Sequence, residues 1–506
     1  MRSFVPVSVG ISLLALASGG AQATVSTPLP DVAPNLELPV TSAPYTVHLV
    51  PRVTIPQETI PNNVPNARIN YVTTPNDGTG RLFVNDINGV IYKFGAAGTP
   101  ATPYLDLRTQ NVPLAYGYDP AGPGLVSMAF HPNFNGDPAK PGYGKFYTSE
   151  TIPAAPGNAT IGGVANGNTV ELREWSAADP TAATFSGTSR SVMTIGGYAD
   201  GHSNGLIAFN PTVGPTDPDY GALYIGSGDG HYNDTDQKAQ DLSVPQGKML
   251  RINPLAGAGG AAYTIPSDNP FLSRSGALPE VWAYGLRFPQ SFGWDALTGK
   301  MYINDLGQAQ FEEVDLGLAG ANYGWSQREG LFATGYAYGQ DSSNENVYPI
   351  PAGGTVDYTL PVGGYSHRNG YALGSGFIYR GTAIPQLFGM YITADIVTAH
   401  FLIFDPNQVV APGFLPTLQE LNLTQNGVVI GPRSTYGYES FLNGPRVDAR
   451  LSEDTNGELL VAFKSTGTIY DVVADVAIPG PGPTAALLLP LAALALRPRR
   501  PLSPPL

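Results

Sequence analysis

Gly221-Ala-Leu-Tyr-Ile225 and Gly299-Lys-Met-Tyr-Ile303 are two statements of one phrase: a glycine, one or two variable residues, then a run of apolar and aromatic residues. The phrase recurs as Gly80-Arg-Leu-Phe-Val84, Gly144-Lys-Phe-Tyr147, Gly389-Met-Tyr-Ile392 and Gly457-Glu-Leu-Leu-Val461. Each reads as a turn glycine leading into a β-strand. Successive glycines are 64, 77, 78, 90 and 68 residues apart. A unit of that size accommodates four short strands with long loops. Six such units predict an all-β chain folded as a six-bladed β-propeller. Gly-aromatic phrases occur in any β protein, so it is the blade-sized spacing along the chain that carries the architecture. Ligands of such a fold sit on loops at a channel mouth, which directs attention to residues just beyond strand ends.

The composition agrees. Of 506 residues, 61 are Gly and 48 are Pro, which disfavours a coiled coil or helical bundle because both residues break helices. With 27 Tyr and 20 Phe there is ample material for a core, so the chain is not of the disordered class. The formal net charge of −14 repels phosphate backbones and makes nucleic acid a poor partner. There is no cysteine, which excludes disulfides, zinc–thiolate sites, iron–sulfur clusters and thiol nucleophiles.

Both ends read as targeting segments. In residues 1–23, Arg2 supplies a positive charge, Val9 to Ala17 is mostly apolar, and Ala21-Gln22-Ala23 has the form of a signal-peptide cleavage site. Residues 24–64 read as an extension leading into the first blade, and residues 65–477 as the propeller. In residues 478–506, the Pro-rich Pro479-Gly-Pro-Gly-Pro483 precedes the largely apolar run Ala485 to Leu496 and then Arg497, Arg499 and Arg500. That run is shorter than the roughly 20 residues a spanning helix needs. The tail resembles a bacterial PEP-CTERM sorting signal in degenerate form, with a disordered tail as the alternative. An exported protein with transient membrane or cell-surface attachment through this tail is expected.

No pair among the six histidines has the i, i+4 spacing of a helical zinc site. The richest stretch runs from Asp200 to Phe209 and includes His202, then continues from Tyr224 to His231 with Gly228-Asp229-Gly230. An imidazole titrates near neutrality, and a carboxylate such as Asp229 can orient it and stabilise its charge. The alternative is two polar loop residues bonded to backbone. Arg287, in Tyr284-Gly-Leu-Arg287-Phe-Pro, has the fork geometry for a carboxylate ligand. A buried ion pair with Asp305 or Glu313 is the competing reading. The loop at Gly307-Gln308 can offer backbone carbonyls to a hard cation, or be an ordinary turn.

At these residues the sequence resembles the glucose/sorbosone dehydrogenase family of soluble quinoprotein sugar dehydrogenases. The matching phrases run in family order: Gly124 to Phe134, the His202 and Asp229 regions, Gly247 to Pro254, Tyr284 to Pro289, Asp305-Leu-Gly-Gln308 with Glu312-Glu313, Asn322-Tyr-Gly-Trp325 and Gly376 to Gly381. The resemblance implies a six-bladed propeller binding pyrroloquinoline quinone (PQQ) and Ca²⁺. It implies His202 as general base, Asp229 as its orienting group, and Arg287 and Arg446 as cofactor ligands. It places a cofactor Ca²⁺ on the carbonyls of Gly307 and Gln308, and a second, structural Ca²⁺ at Glu313 and the Tyr323 carbonyl.

Four departures bear on substrate. Gly122, Gly201, Phe288 and Gln308 stand where the family's sugar dehydrogenases carry, respectively, a polar residue, Asp, Asn and Pro. They argue against glucose. The expected activity is oxidation of a sugar or polyol hydroxyl by hydride transfer to PQQ, with an external electron acceptor. The alternatives are a non-catalytic surface or matrix binding propeller and a Ca²⁺-dependent lactonase, to which the acid-rich segment Asp229–Asp241 is a faint pointer.

Overall fold

The computed structural model describes residues 29–32, 40–56, 68–116, 123–154, 159–162, 168–198, 202–230, 236–340, 345–351, 357–408, 410, 414–437 and 446–475. The expected targeting segments 1–23 and 478–506 lie outside them, as do Gly122 and Gly201. The chain is all-β, and the one α-helix among the described residues is the short Pro432–Tyr436.

Four separate sheets have four antiparallel strands each. The first is Ile69–Thr73, Leu82–Asp86, Val90–Phe94 and Thr102–Asp106. The second is Leu125–Phe130, Lys145–Pro153, Asn168–Ala177 and Gly187–Tyr198. The third is Asn204–Phe209, Leu223–Ser227, Lys248–Ile252 and Val281–Tyr284. The fourth is Pro289–Trp294, Met301–Asp305, Phe311–Gly317 and Gly363–Ser366. A small three-stranded sheet, Arg328–Glu329, Phe332–Thr334 and Val347–Tyr348, is inserted before the last of these strands.

The remaining strands form one nine-stranded sheet rather than two separate ones. One run is Leu373–Ile378, Tyr391–Asp395, Phe401–Phe404 and Gln419–Gln425, with the short Val428–Val429 paired to the last of these, and the other is Ala449–Glu453, Leu459–Phe463 and Thr468–Ala474. Thr41–Thr54 joins them, parallel to Gln419–Gln425 and antiparallel to Thr468–Ala474. This strand falls within the segment expected to be an extension, and its backbone groups are instead paired in the sheet on both sides.

All six phrase glycines have left-handed backbone, with φ between 69° and 88°. This is a turn conformation that glycine adopts without steric cost. Each leads into the second strand of its run. The strand that follows Gly221, Leu223–Ser227, is buried at every position. It is covered on both faces and therefore reads as a continuous apolar run. Hydrophobic clusters fill the spaces between neighbouring sheets. Ile225 and Leu250 of the third sheet meet Val170 and Met193 of the second, and Met249 of the third meets Phe292 and Ile303 of the fourth.

The first strands of the six runs touch one another in a closed cycle, from Ile69–Thr73 round to Ala449–Glu453 and back. Cross-ring hydrogen bonds connect residues at like depth. Asn70 donates to the Val126 carbonyl, the Ile207 amide to Ser127 Oγ, Ser291 Oγ to the Gly374 carbonyl, and the Leu451 amide to Ser375 Oγ. The six inner strands therefore enter the ring from the same end. Residues just before them, Arg68, His202, Arg287 and Arg446 among them, share that end. Close approach of the third and fourth sheets is built in at Gly226, where a Cβ would lie 2.2 Å from the Pro289 carbonyl oxygen.

Candidate functional site

His202 lies two residues before the inner strand Asn204–Phe209, with left-handed backbone at φ 43°. The turn after Leu223–Ser227 holds it. The amides of Gly228 and Gly230 donate to the carbonyls of Ser203 and His202, respectively. A side chain at Gly228 would put its Cβ 2.1 Å from the His202 carbonyl oxygen, so only glycine fits. This packing sets the next residue, Asp229, against the imidazole.

Asp229 is fully buried, and its Oδ1 lies 3.0 Å from His202 Nδ1. Its Oδ2 accepts the indole N–H of Trp325 at 2.9 Å. The Asp229 amide donates to the Arg287 carbonyl at 2.7 Å, tying the third sheet to the fourth. The expected imidazole–carboxylate pair is therefore present, and the reading of His202 and Asp229 as unrelated loop residues is set aside. One face of the imidazole is covered: the Phe288 ring stacks on it at 5.0 Å between centroids, inclined by 19°.

Arg287 is buried in the same wall. Its guanidinium lies over the Trp325 ring, 5.6 Å from the centroid, and donates to the Gly307 carbonyl at 2.5 Å. Asp305, one of its expected ion-pair partners, accepts the backbone amides of Arg287 and Phe288 at 2.9 and 2.7 Å. Trp325 thus touches both functional groups, the carboxylate through its N–H and the guanidinium through its ring face. The sequence offers it only as part of a phrase, because no pattern shows which group an indole will meet.

The loop after Met301–Asp305 is arranged for an anion. The amides of Gln308, Ala309, Gln310 and Phe311 converge on Oε1 of Glu329 at 2.9, 3.0, 2.8 and 2.9 Å. The buried Glu329 belongs to the inserted three-stranded sheet. The Gly307 carbonyl, one of the two expected Ca²⁺ ligands, accepts from the Arg287 guanidinium.

A second acidic group lies behind the loop. Glu313 stands opposite Asp305 in the strand register, and Asp315 follows two residues on, on the same face. Glu313 accepts the Gly330 amide, while both carboxyl oxygens of Asp315 are buried without a hydrogen-bond partner. Burial, and then repulsion from Asp315 and Asp305, holds the Glu313 carboxyl well above the usual range. Asp315 is raised by burial and by Asp305, and Asp305 is pushed by burial to about 7. An orphaned buried carboxyl between two acidic neighbours suits a cation. Among the described residues, however, no three His, Asp or Glu side chains have the spacing of a metal-ligand group. Tyr323, the other expected contributor, is buried with its hydroxyl donating to the Leu316 carbonyl at 2.8 Å.

Arg446 is bonded to Asp448, with Nη2 2.8 Å from Oδ1. It shares the end of the ring with His202 and Arg287. Sequence reading misses two further cations there: the buried Arg68, just before Ile69–Thr73, and the buried Lys464, just after Leu459–Phe463. It also misses His367, whose Nε2 lies 2.6 Å from Oε1 of Glu312. Burial alone would lower the His367 pKa, but the Glu312 carboxylate outweighs it and raises it.

Four basic side chains share the end of the ring that carries an imidazole held by a buried carboxylate, a setting for an anionic ligand and a proton acceptor. Comparison with known proteins points the same way: residues 196–411 match the family described as Glucose / Sorbosone dehydrogenase. In that stretch the chain is similar to the family. The matched stretch contains His202, Asp229, Arg287 and the Gly307 loop.

The relatives of the chain differ in kind. The HIPL2 protein of Arabidopsis thaliana is 27% identical over 384 residues, covering 65% of this chain and 50% of its own length. The Hedgehog-interacting protein of Homo sapiens is 25% identical over 332 residues, covering 63% of this chain and 40% of its own. The chain thus spans about half or less of the length of these relatives. Among solved structures, a glucose dehydrogenase aligns with a TM-score of 0.55 at 18% identity, over 83% of this chain and 98% of that one. The PQQ-bound aldose sugar dehydrogenase of Streptomyces coelicolor aligns with a TM-score of 0.50 at 16% identity, over 85% of this chain and 99% of that one. At these identities the likeness shows a shared fold.

Proposed function

We propose that the chain is an exported dehydrogenase that oxidises a hydroxyl of a sugar or polyol, with His202 as general base, on a six-bladed β-propeller. The closed cycle of six inner strands supports the blade count, with the nine-stranded sheet divided at the parallel pairing of Thr41–Thr54 with Gln419–Gln425. The observation that carries the activity is the His202–Asp229 pair, 3.0 Å apart, with the second Asp229 oxygen fixed by Trp325.

This arrangement sets the proton path. Asp229 accepts from Nδ1, so Nε2 is the nitrogen that takes the substrate hydroxyl proton. As that proton arrives, the buried carboxylate stabilises the imidazolium, and Trp325 keeps the carboxylate from rotating away. Loss of the O–H proton to Nε2 and of a hydride from the same carbon leaves a carbonyl product. A bound PQQ would supply the two-electron acceptor for the hydride, and an external acceptor would then reoxidise it. Arg287 and Arg446, with Arg68 and Lys464 at the same end, suit its carboxylates. Calcium at Gly307 is not needed for any of the proton steps. Export through residues 1–23 and surface attachment through residues 478–506 belong to the same proposal. Among the described residues no helix is long and apolar enough to cross a membrane.

A second reading is favoured by Phe288. A ring stacked on His202 narrows access to the base, as suits a propeller that binds a glycan or protein without turning it over. The human relative named as Hedgehog-interacting makes this a concrete rival. For the lactonase reading, two acids of the segment Asp229–Asp241 are engaged locally: Asp229 with His202 and Trp325, and the exposed Asp241 with its own turn at Ser243.

The deciding experiment is reconstitution of the chain with PQQ, with and without Ca²⁺, followed by dye reduction over a panel of aldoses and polyols. Saturable PQQ binding, with turnover that falls roughly 10²–10⁴-fold in His202→Ala, supports the dehydrogenase. Absence of PQQ binding at excess cofactor removes it in favour of the binding protein.

A further inference from the structure

The inner strands that bring His202 to one end of the ring carry a second set of residues to the other. Five or six residues of strand separate the two ends, roughly 20 Å. There, the last residues of the inner strands enclose a cavity of about 470 Å³. Its walls include Tyr71, Phe130, Phe209, Trp294 and Phe377, each from a different inner strand. Glu453, the last residue of the sixth inner strand, reaches the same space.

Glu453 is the exception among the acids around it. Asp295 is clamped by Arg380 through two hydrogen bonds of 2.6 and 2.7 Å. Asp454 accepts the amides of Asn456 and Glu458 in its turn. Glu453 makes no side-chain hydrogen bond or ion pair among the described residues. Burial, and then the charges of Asp454 and Asp295, push its carboxyl to about 8. A carboxyl in this position lacks a counter-ion, and the aromatic side chains around it are suited to covering a cation. A bare metal ion would leave most of the volume empty, and no metal-ligand group is present among the described residues.

We propose that this cavity binds a small organic monocation, a protonated or alkylated amine, with Glu453 as counter-ion and the aromatic walls around its apolar part. The proposal is independent of the oxidation chemistry at the other end.

The test is a calorimetric titration of the full chain with choline and with its uncharged isostere 3,3-dimethylbutan-1-ol. Choline is expected to bind roughly tenfold or more tightly than the alcohol. Binding at pH 7 should release a proton, seen as a heat that varies with the ionisation enthalpy of the buffer. Ionised Glu453 is the form that pairs with the cation. Affinity should therefore rise roughly tenfold per pH unit up to about 8 and level off above it. Glu453→Gln should remove choline binding, and Trp294→Phe should weaken it several-fold while leaving far-UV circular dichroism unchanged. Equal binding of choline and the alcohol would overturn the proposal and indicate a site for neutral ligands. So would unchanged affinity in folded Glu453→Gln, or no saturation of the wild type by about 10 mM choline.

Discussion

Trp325 donates its indole N–H to Asp229 at 2.9 Å, on the carboxylate oxygen turned away from His202. The two residues are 96 positions apart, and the contact fixes the carboxylate against a wall that also carries Arg287. Trp325→Phe keeps an aromatic ring and removes the donor. The variant leaves a buried carboxylate oxygen short of a partner and should cost about 1–3 kcal/mol of stability. Denaturant unfolding measures that cost. Under the dehydrogenase reading kcat should fall with little change in KM, because the base is loosened while the ligand contacts stay.

Phe288 offers a test of access to the base. Phe288→Asn removes the ring stacked on the imidazole. For a dehydrogenase, turnover or PQQ affinity should rise as the His202 face opens. For a binding propeller, neither appears, and the folded variant still fails to reduce dye.

Glu329 should prove structural. One of its oxygens receives four consecutive backbone amides, those of residues 308–311. Glu329→Ala strands these donors and should cost about 2–4 kcal/mol. Glu329→Gln should cost less, since an amide oxygen still accepts but carries no charge. Hydrogen exchange would show the effect as faster exchange at Gln308 to Phe311.

Stability should peak in mildly acidic solution. The folded chain holds protons on Asp305 to about pH 7 and on Glu150 and Glu453 to about pH 8, with Glu313 and Asp315 also raised. Burial is the first cause in each. The unfolded chain releases these protons near pH 4. The stability they contribute is therefore present below about pH 4 and is lost as pH rises towards 8. Asp295 acts in the opposite sense: burial would raise it, but Arg380 and its other hydrogen-bond donors outweigh that and lower it to about 2. Its contribution is present above about pH 4 and lost as pH falls towards 2. Thermal midpoints measured from pH 2 to pH 9 should be highest around pH 4. Asp315→Asn should flatten the alkaline decline.

The legibility of the chain follows from what is local. The six phrases are visible because a turn glycine and the apolar strand after it are neighbours in sequence, and all six glycines take the left-handed backbone. His202 and Asp229 can be paired for a related reason: each lies beside a strand of one sheet, and those strands are adjacent. What escapes is non-local. Thr41–Thr54 reads as an extension because nothing within it names its partners more than 350 residues away. The Gly307 loop reads as a cation site because carbonyls and amides are equally present in any sequence. Only the inserted Glu329 and the neighbouring Arg287 reveal which of them face charge. Arg68 and Lys464 reach the His202 end of the ring through its closure, which no spacing records, and His367 reaches it through the pairing of Gly363–Ser366 with Phe311–Gly317.

The interposed strand Thr41–Thr54 also sets an order of events in assembly. Its antiparallel partner, Thr468–Ala474, is among the last residues of the described chain to be synthesised. Until that partner emerges, Thr41–Thr54, the first of the described strands, has no mate on that side, and the circle stays open like an unfastened clasp. The molecule thus contains its own completeness check. A product shortened before residue 468 would keep several intact sheets and lack the fastening that makes them one body.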